Sequence, residues 1–181
     1  MKSKAQFRDK TFENHDDSER FYKFASKHAC FVTGDGFNVD DISQGNIGNC
    51  WFISALASLI GPTIKETSAL MGGAVDRVMQ PEFNKSEVAK QKGLHRFKFF
   101  KLGKFADVII DTRFPSGESD RAFSSGTHEW WIPLVEKAYA KFSGSYKNII
   151  GGLPGWGLVE LTGGVAIQSS ASLLNTLKFD F

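Results

Sequence analysis

The stretch Gln44-Gly45-Asn46-Ile47-Gly48-Asn49-Cys50-Trp51-Phe52-Ile53-Ser54-Ala55 decides how this chain folds. Its first half is punctuated by Gly45 and Gly48 and reads as a loop. Asn49 is of the residue type that starts helices, and the apolar run from Trp51 to Ile60 follows at once. Gly61-Pro62 then supplies a stop. The pattern predicts a buried helix from Cys50 to the neighbourhood of Gly61. A thiol in the first turn of such a helix faces the positive end of its dipole, which favours thiolate. The side-chain amide of Gln44 and the backbone N–H of Cys50 would converge as two donors beside that sulfur. Such a pair is an oxyanion hole, the electrostatic device of acyl transfer. A free cysteine on an apolar helix is otherwise just a small buried hydrophobe. The upstream glutamine, the two glycines and the Cys50-Trp51 pair set this one apart.

This run resembles the active-site loop and helix of the calpain family, papain-like calcium-dependent cysteine proteases that read Gln-Gly-x-Leu-Gly-Asp-Cys-Trp here. Further segments carry the likeness. Phe97-Lys98-Phe99-Phe100, a turn at Leu102-Gly103-Lys104 and Ala106 to Pro115 are similar to the family's hairpin ending in Val-Asp-Asp-Arg-Leu-Pro. Glu129-Trp130-Trp131 and Leu134-Val135-Glu136-Lys137-Ala138-Tyr139-Ala140-Lys141 resemble its Glu-Phe-Trp and Leu-Leu-Glu-Lys-Ala-Tyr-Ala-Lys helix. Gly151-Gly152 and Leu161-Thr162-Gly163-Gly164 match the glycine pairs that close the first catalytic subdomain. The resemblance implies an α+β half-domain of papain-like type, with a central nucleophile-bearing helix and a small antiparallel sheet. Residues 1–30 read as a polar N-terminal arm, 31–166 as the subdomain, and 167–181 as a tail outside the family pattern.

The family's chemistry assigns Cys50 as nucleophile and Gln44 to the oxyanion hole, with Gly151 and Gly152 along the substrate cleft. Its histidine and asparagine come from a second subdomain, in Gly-His-Ala-Tyr and Trp contexts that this sequence does not contain. The four histidines, His15, His28, His95 and His128, are expected in surface or loop positions. The chain is therefore expected to be the nucleophile-bearing half of a calcium-dependent endopeptidase acting on protein substrates. It would be inactive until a second polypeptide supplies the His/Asn half. The competing expectation is a truncated, non-catalytic calpain-like protein that binds calcium or partner proteins. The segment after Ala166 is read as an alternative C-terminus, a truncation or a change of frame.

Calcium is the cofactor the resemblance implies. The loop Thr33 to Asp41 would offer backbone carbonyls, Gly36 among them, with Asp41 and Glu129 as carboxylates. Oxygen-only coordination suits a hard cation. On residue type alone these acids are solvated turn residues and a helix-terminal acid. Two positions depart from the family. Val39 stands where an arginine often bridges to the other subdomain, and Asn49 replaces the aspartate before the nucleophile.

The rest of the composition is permissive. At 181 residues, with 41% hydrophobic and 23% charged residues, the chain can bury a single core. Seventeen phenylalanines point to an aromatic-rich interior or to an apolar surface awaiting a partner. A net charge of +2 with dispersed Lys and Arg gives no reason to expect nucleic acid. The Trp51–Ile60 run is too short for a membrane span, and the polar N-terminus lacks a signal-peptide core. Leaving Cys30 and Cys50 unbridged keeps the nucleophile free, which points to a reducing, cytoplasmic setting. Between the motifs, residues 66–77 read as a short helix, 79–93 as a polar connector, and 151–164 as a glycine-rich stretch around Trp156. Val108-Ile109-Ile110 reads as a buried strand, and 130–142 as a helix with Pro133 in its first turn. Asp111, Thr112 and Arg113 are expected to hold the loop after that strand.

Overall fold

The computed structural model describes residues 7–15, 21–23, 31–32, 36–61, 73–115, 123–124 and 129–167. Its elements begin with α1 (Lys10–His15), β1 (Phe21–Lys23), β2 (Ile42–Ser43), α2 (Cys50–Ile60) and a third helix, α3, at 73–79. There follow α4 (Pro81–Asn84), α5 (Glu87–Lys92), β3 (Leu94–Lys101), β4 (Lys104–Asp111), β5 (Arg113–Pro115) and β6 (Phe123–Ser124). Two helices, α6 (Trp131–Ser143) and α7 (Pro154–Thr162), close the order. This is the α+β arrangement expected, although its sheet is three separate antiparallel pairs, β1–β5, β2–β6 and β3–β4.

Helix α2 buries Trp51, Phe52, Ile53, Ala55, Leu56 and Leu59 and ends on Gly61, whose N–H returns to the Ala57 carbonyl at 2.7 Å. Cys50, Ser54 and Ser58, spaced one turn apart, form its exposed stripe. The Phe52 ring stacks on Tyr139 of α6 at 3.8 Å, and Trp51 meets the same ring edge-on at 5.8 Å. On another side Gly157 of α7 lies so close that a Cβ there would sit 2.9 Å from that of Ala55. Glycine inside α7 therefore serves close helix packing. The stretch 151–164, read as glycine-rich, is mostly this helix, started by Pro154 in its first turn.

The β3–β4 hairpin pairs Leu94 with Asp111 through Lys101 with Lys104. Leu102 and Gly103 between them both have positive φ, 51° and 80°, the twist a two-residue hairpin turn requires. Period-two alternation buries His95, Phe97 and Phe99 on β3 and Val108 and Ile110 on β4 against the core. Ile109, expected inside, points the other way and is 41% exposed. A single buried face explains it.

One further expectation is corrected. The connector at 79–93 holds α4 and α5, the latter capped by Ser86, whose hydroxyl accepts from the Ala89 N–H at 3.2 Å. Of the 66–77 helix, the described part is 73–77, and it continues to 79. The first described residues are docked. Phe7 N–H bonds the Lys92 carbonyl at 2.7 Å, and Phe12 is buried against Tyr146 with ring centres 5.9 Å apart.

Asp111 at the end of β4 is the hub of a buried charge network. Its carboxylate accepts from Lys137 Nζ of α6 at 2.5 Å, from Arg113 Nε at 2.9 Å and from the Asp9 N–H at 2.7 Å. Asp9 in turn takes Lys141 Nζ at 2.6 Å. Burial pushes the Lys137 ammonium down to about 8, against the opposing pull of Asp111. The structural role expected of Asp111 and Arg113 is thus visible, and it ties the N-terminal segment, β4 and α6 together.

Candidate active site

Cys50 is the first residue of α2, and its thiol is free and exposed. Asn49 occupies the cap position but makes no side-chain cap. Its carbonyl takes the N–H groups of Phe52 and Ile53 at 2.9 and 3.1 Å, while its Nδ2 donates to Glu136 Oε1 of α6 at 2.7 Å. Both side chains are fully buried, so a carboxylate lies one hydrogen bond from the residue before Cys50. The cap expected of Asn49 is thereby redirected: a buried amide facing a buried carboxylate gains more from that bond than from one backbone donor. The backbone N–H of Cys50 has no acceptor among the described residues.

Gln44 leaves β2 into the loop that ends at Cys50, and it is exposed. Its Nε2 donates to the Ile47 carbonyl at 3.2 Å, which ties the amide to that loop. Gly151 and Gly152 reach the same place from the far end of the chain. Gly151, at φ +70°, donates its N–H to the Gly48 carbonyl at 2.8 Å. Gly152 lies over the indole of Trp51, where a Cβ would stand 2.4 Å from Cε2. That indole is itself pinned, its Nε1 donating to the Ile149 carbonyl at 2.9 Å. Four sequence candidates therefore gather on one loop: Gln44, Cys50, Gly151 and Gly152. Trp51 and Glu136, given no role from sequence, fix that gathering. Glu136 had one visible signal, an acid inside an apolar helical run.

The calcium candidates fall elsewhere on the chain. Asp41 ends a 3-10 turn, Val39–Asp41, and is buried, with its N–H on the Asn38 carbonyl at 3.3 Å. Glu129 is buried and accepts from Trp131 Nε1 at 3.0 Å. The Phe37 ring meets the Trp131 indole edge-on at 5.4 Å, which brings the Gly36–Phe37 turn to the Glu129 side. Residues 33–35 of the expected loop lie outside the described residues. Among the described residues no three His, Cys, Asp or Glu side chains converge on a metal position. A cation here would rest on two carboxylates and backbone carbonyls, a donor set that fits calcium.

His95, expected at the surface or in a loop, lies instead on β3 with its ring stacked on Phe31 at 5.8 Å. Burial, with Lys137 nearby, pushes it down to about 4. The structure around His28, His128 and Cys30 and the side chain of His15 lie outside the described residues. Tyr139 donates its hydroxyl to Glu160, and burial raises it above the ordinary phenol range. No helix among the described residues is long and apolar enough to cross a membrane.

A solvent-facing thiol at a helix start, beside an uncommitted N–H and a backbone edge, is the layout of a cysteine hydrolase. The sequence pattern of the calpain family cysteine proteases matches residues 7–178, and the chain belongs to that family. It is 35% identical to mouse calpain-5 over 134 residues, covering 73% of this chain and 20% of that protein. It is 36% identical to the chicken calpain-2 catalytic subunit over 138 residues, 75% of this chain and 18% of that protein. With calpain clp-1 of Caenorhabditis elegans the identity is 32% over 178 residues, 91% of this chain and 21% of that protein. The chain thus spans about a fifth of the length of these relatives.

Proposed function

We propose that this chain is the nucleophile-bearing half of a calcium-dependent cysteine endopeptidase acting on intracellular proteins. The observation that carries the reading is the exposed Cys50 thiol at the first residue of α2, with its own N–H uncommitted. The thiolate attacks the scissile carbonyl, forming a C–S bond, and the oxyanion accepts from the Cys50 N–H and the Gln44 amide. The C–N bond then breaks, and the amine leaves with a proton from a histidine. That histidine and the asparagine orienting it come from a second segment or polypeptide, since none of His15, His28, His95 and His128 stands in the Gly-His-Ala-Tyr context of the family's base. Gly151 and Gly152 bind the substrate backbone. Gly36, Asp41 and Glu129 would hold calcium, which would supply a fixed positive charge to the loop before β2.

Hydrolysis of a fluorogenic peptide tests this. The chain alone gives no turnover. Adding a polypeptide that carries the His/Asn half gives calcium-stimulated turnover, which Cys50→Ser abolishes. Turnover by the chain alone that Cys50→Ser abolishes would remove the need for a second segment. Turnover surviving Cys50→Ser would remove the nucleophile.

A further inference from the structure

A cavity of about 540 Å³ opens between α4, α5 and the start of β3, a volume of the kind that holds small ligands. None of Gln44, Cys50, Gly151 and Gly152 lines it. Asn84, fully buried at the end of α4, fixes one wall. Its Oδ1 accepts from the Arg96 N–H at 2.9 Å and its Nδ2 donates to the Arg96 carbonyl at 2.7 Å, so one amide takes the place of a neighbouring strand. Alternation on β3 turns His95 and Phe97 into the core and leaves the Arg96 side chain on the cavity side. Gln80, between α3 and α4, has a left-handed backbone at φ 46°, uncommon for a residue with a Cβ. There its Nε2 donates to the Arg77 carbonyl at 2.7 Å, and its Oε1 accepts from Arg96 Nη2 at 3.1 Å.

The guanidinium is thus held in place without being neutralised. It stands 4.6 Å from the centre of the Phe83 ring, and its Nε is buried with no acceptor. No carboxylate among the described residues lies within ion-pair distance of it. Arg113, by contrast, has the Asp111 carboxylate at 2.5 Å. Two acids do line the same cavity, Asp76 and Glu82. Both are exposed, and neither carboxylate has a hydrogen-bond or ion-pair partner among the described residues. Val88, 61% exposed, adds an apolar wall. Unpaired charges of opposite sign around one partly apolar cavity complement a ligand that carries both signs. A plain anion meets two repelling carboxylates, and a plain cation leaves the guanidinium unanswered.

We infer that this cavity binds a zwitterionic, amino-acid-like ligand, with its carboxylate on Arg96, its apolar side chain against Phe83 and Val88, and its ammonium toward Asp76 and Glu82. A free apolar amino acid and a short peptide share that chemistry. Cys50 has no part in this site.

Leucine, leucyl-leucine, leucinamide and N-acetyl-leucine are titrated at millimolar concentration into the full chain labelled with nitrogen-15, and the amide shifts of Gln80, Phe83, Val88 and Arg96 are followed by NMR. Leucine or leucyl-leucine saturates these shifts, and the tighter of the two identifies the source as a free amino acid or a peptide. Leucinamide, without the carboxylate, binds about tenfold more weakly, and N-acetyl-leucine, without the ammonium, binds severalfold more weakly. Arg96→Gln weakens leucine binding about tenfold, whereas Lys104→Gln, at the turn end of the hairpin, leaves it unchanged. If Arg96→Gln does not fold, the four-ligand comparison on the unaltered chain decides. Leucinamide as tight as leucine removes Arg96 from the site, and N-acetyl-leucine as tight as leucine removes the two acids. Either result overturns the proposal, as does the absence of saturable shifts at these four residues with every probe.

Discussion

Replacing Gly152 by alanine adds one methyl group where the structure has no room for it. The new Cβ would lie 2.4, 2.6 and 2.9 Å from Cε2, Cδ2 and Cζ2 of Trp51. Carbon atoms settle at about 3.5–4.0 Å, so ring or backbone must shift by about 1 Å. Trp51 is poorly placed to yield: it is 8% exposed, bonded to the Ile149 carbonyl at 2.9 Å and edge-on to Tyr139. Overpacking of this kind costs about 1–3 kcal/mol, and losing the indole hydrogen bond adds about 1 kcal/mol. The expected destabilisation is about 3 kcal/mol, which for a domain of this size lowers Tm by about 9 °C. Urea unfolding followed by circular dichroism reads it, with an unchanged slope confirming a two-state comparison. Gly151→Ala is the control: its φ is +70° but nothing lies within 4 Å, so only about 1 kcal/mol of backbone strain is expected. A Gly152→Ala protein no less stable than Gly151→Ala would refute the close approach of the glycine edge to the nucleophile helix.

Other perturbations follow from the same contacts. Asp111→Ala strands the buried Lys137 ammonium and should cost about 3–5 kcal/mol in urea unfolding, whereas pairing it with Lys137→Met restores part of the loss. His95, lowered to about 4 from 6.5, binds its proton more weakly in the native than in the unfolded chain. Its contribution to stability is therefore full above about pH 6.5 and declines as pH falls toward 4, by at most about 3 kcal/mol. His95→Gln should flatten that part of the stability–pH curve, and an unchanged slope would place the titration elsewhere. Glu129→Ala should weaken calcium binding measured by calorimetry, and an unaltered isotherm would remove Glu129 from the donor set.

Much of the scaffold was legible because local signals agree with the tertiary result. The apolar run closed by Gly61-Pro62 specified α2, and alternation around Leu102-Gly103 specified the β3–β4 hairpin. What stayed hidden depends on partners distant in sequence. Asn49 looks like a cap because asparagine caps helices, yet its partner is Glu136, a residue 87 positions away. Gly157 of α7 looks like a loop residue because its role is to admit Ala55 and Trp51, which a one-dimensional reading does not see. Helices α4 and α5 carry mostly outward polar residues, so they show little apolar periodicity, and only Pro81 and Ser86 announce them. Of the candidate site, Gln44, Cys50 and the glycine pair were named from motif. The indole and the buried carboxylate that hold them together were not.

The most direct measurement is the rate at which iodoacetamide modifies each cysteine of the folded chain, followed by mass spectrometry of the peptides bearing Cys30 and Cys50. A helix-start nucleophile predicts that Cys50 reacts faster than Cys30, and faster than itself after unfolding in urea. Equal, slow modification of both thiols in the native protein would contradict the account.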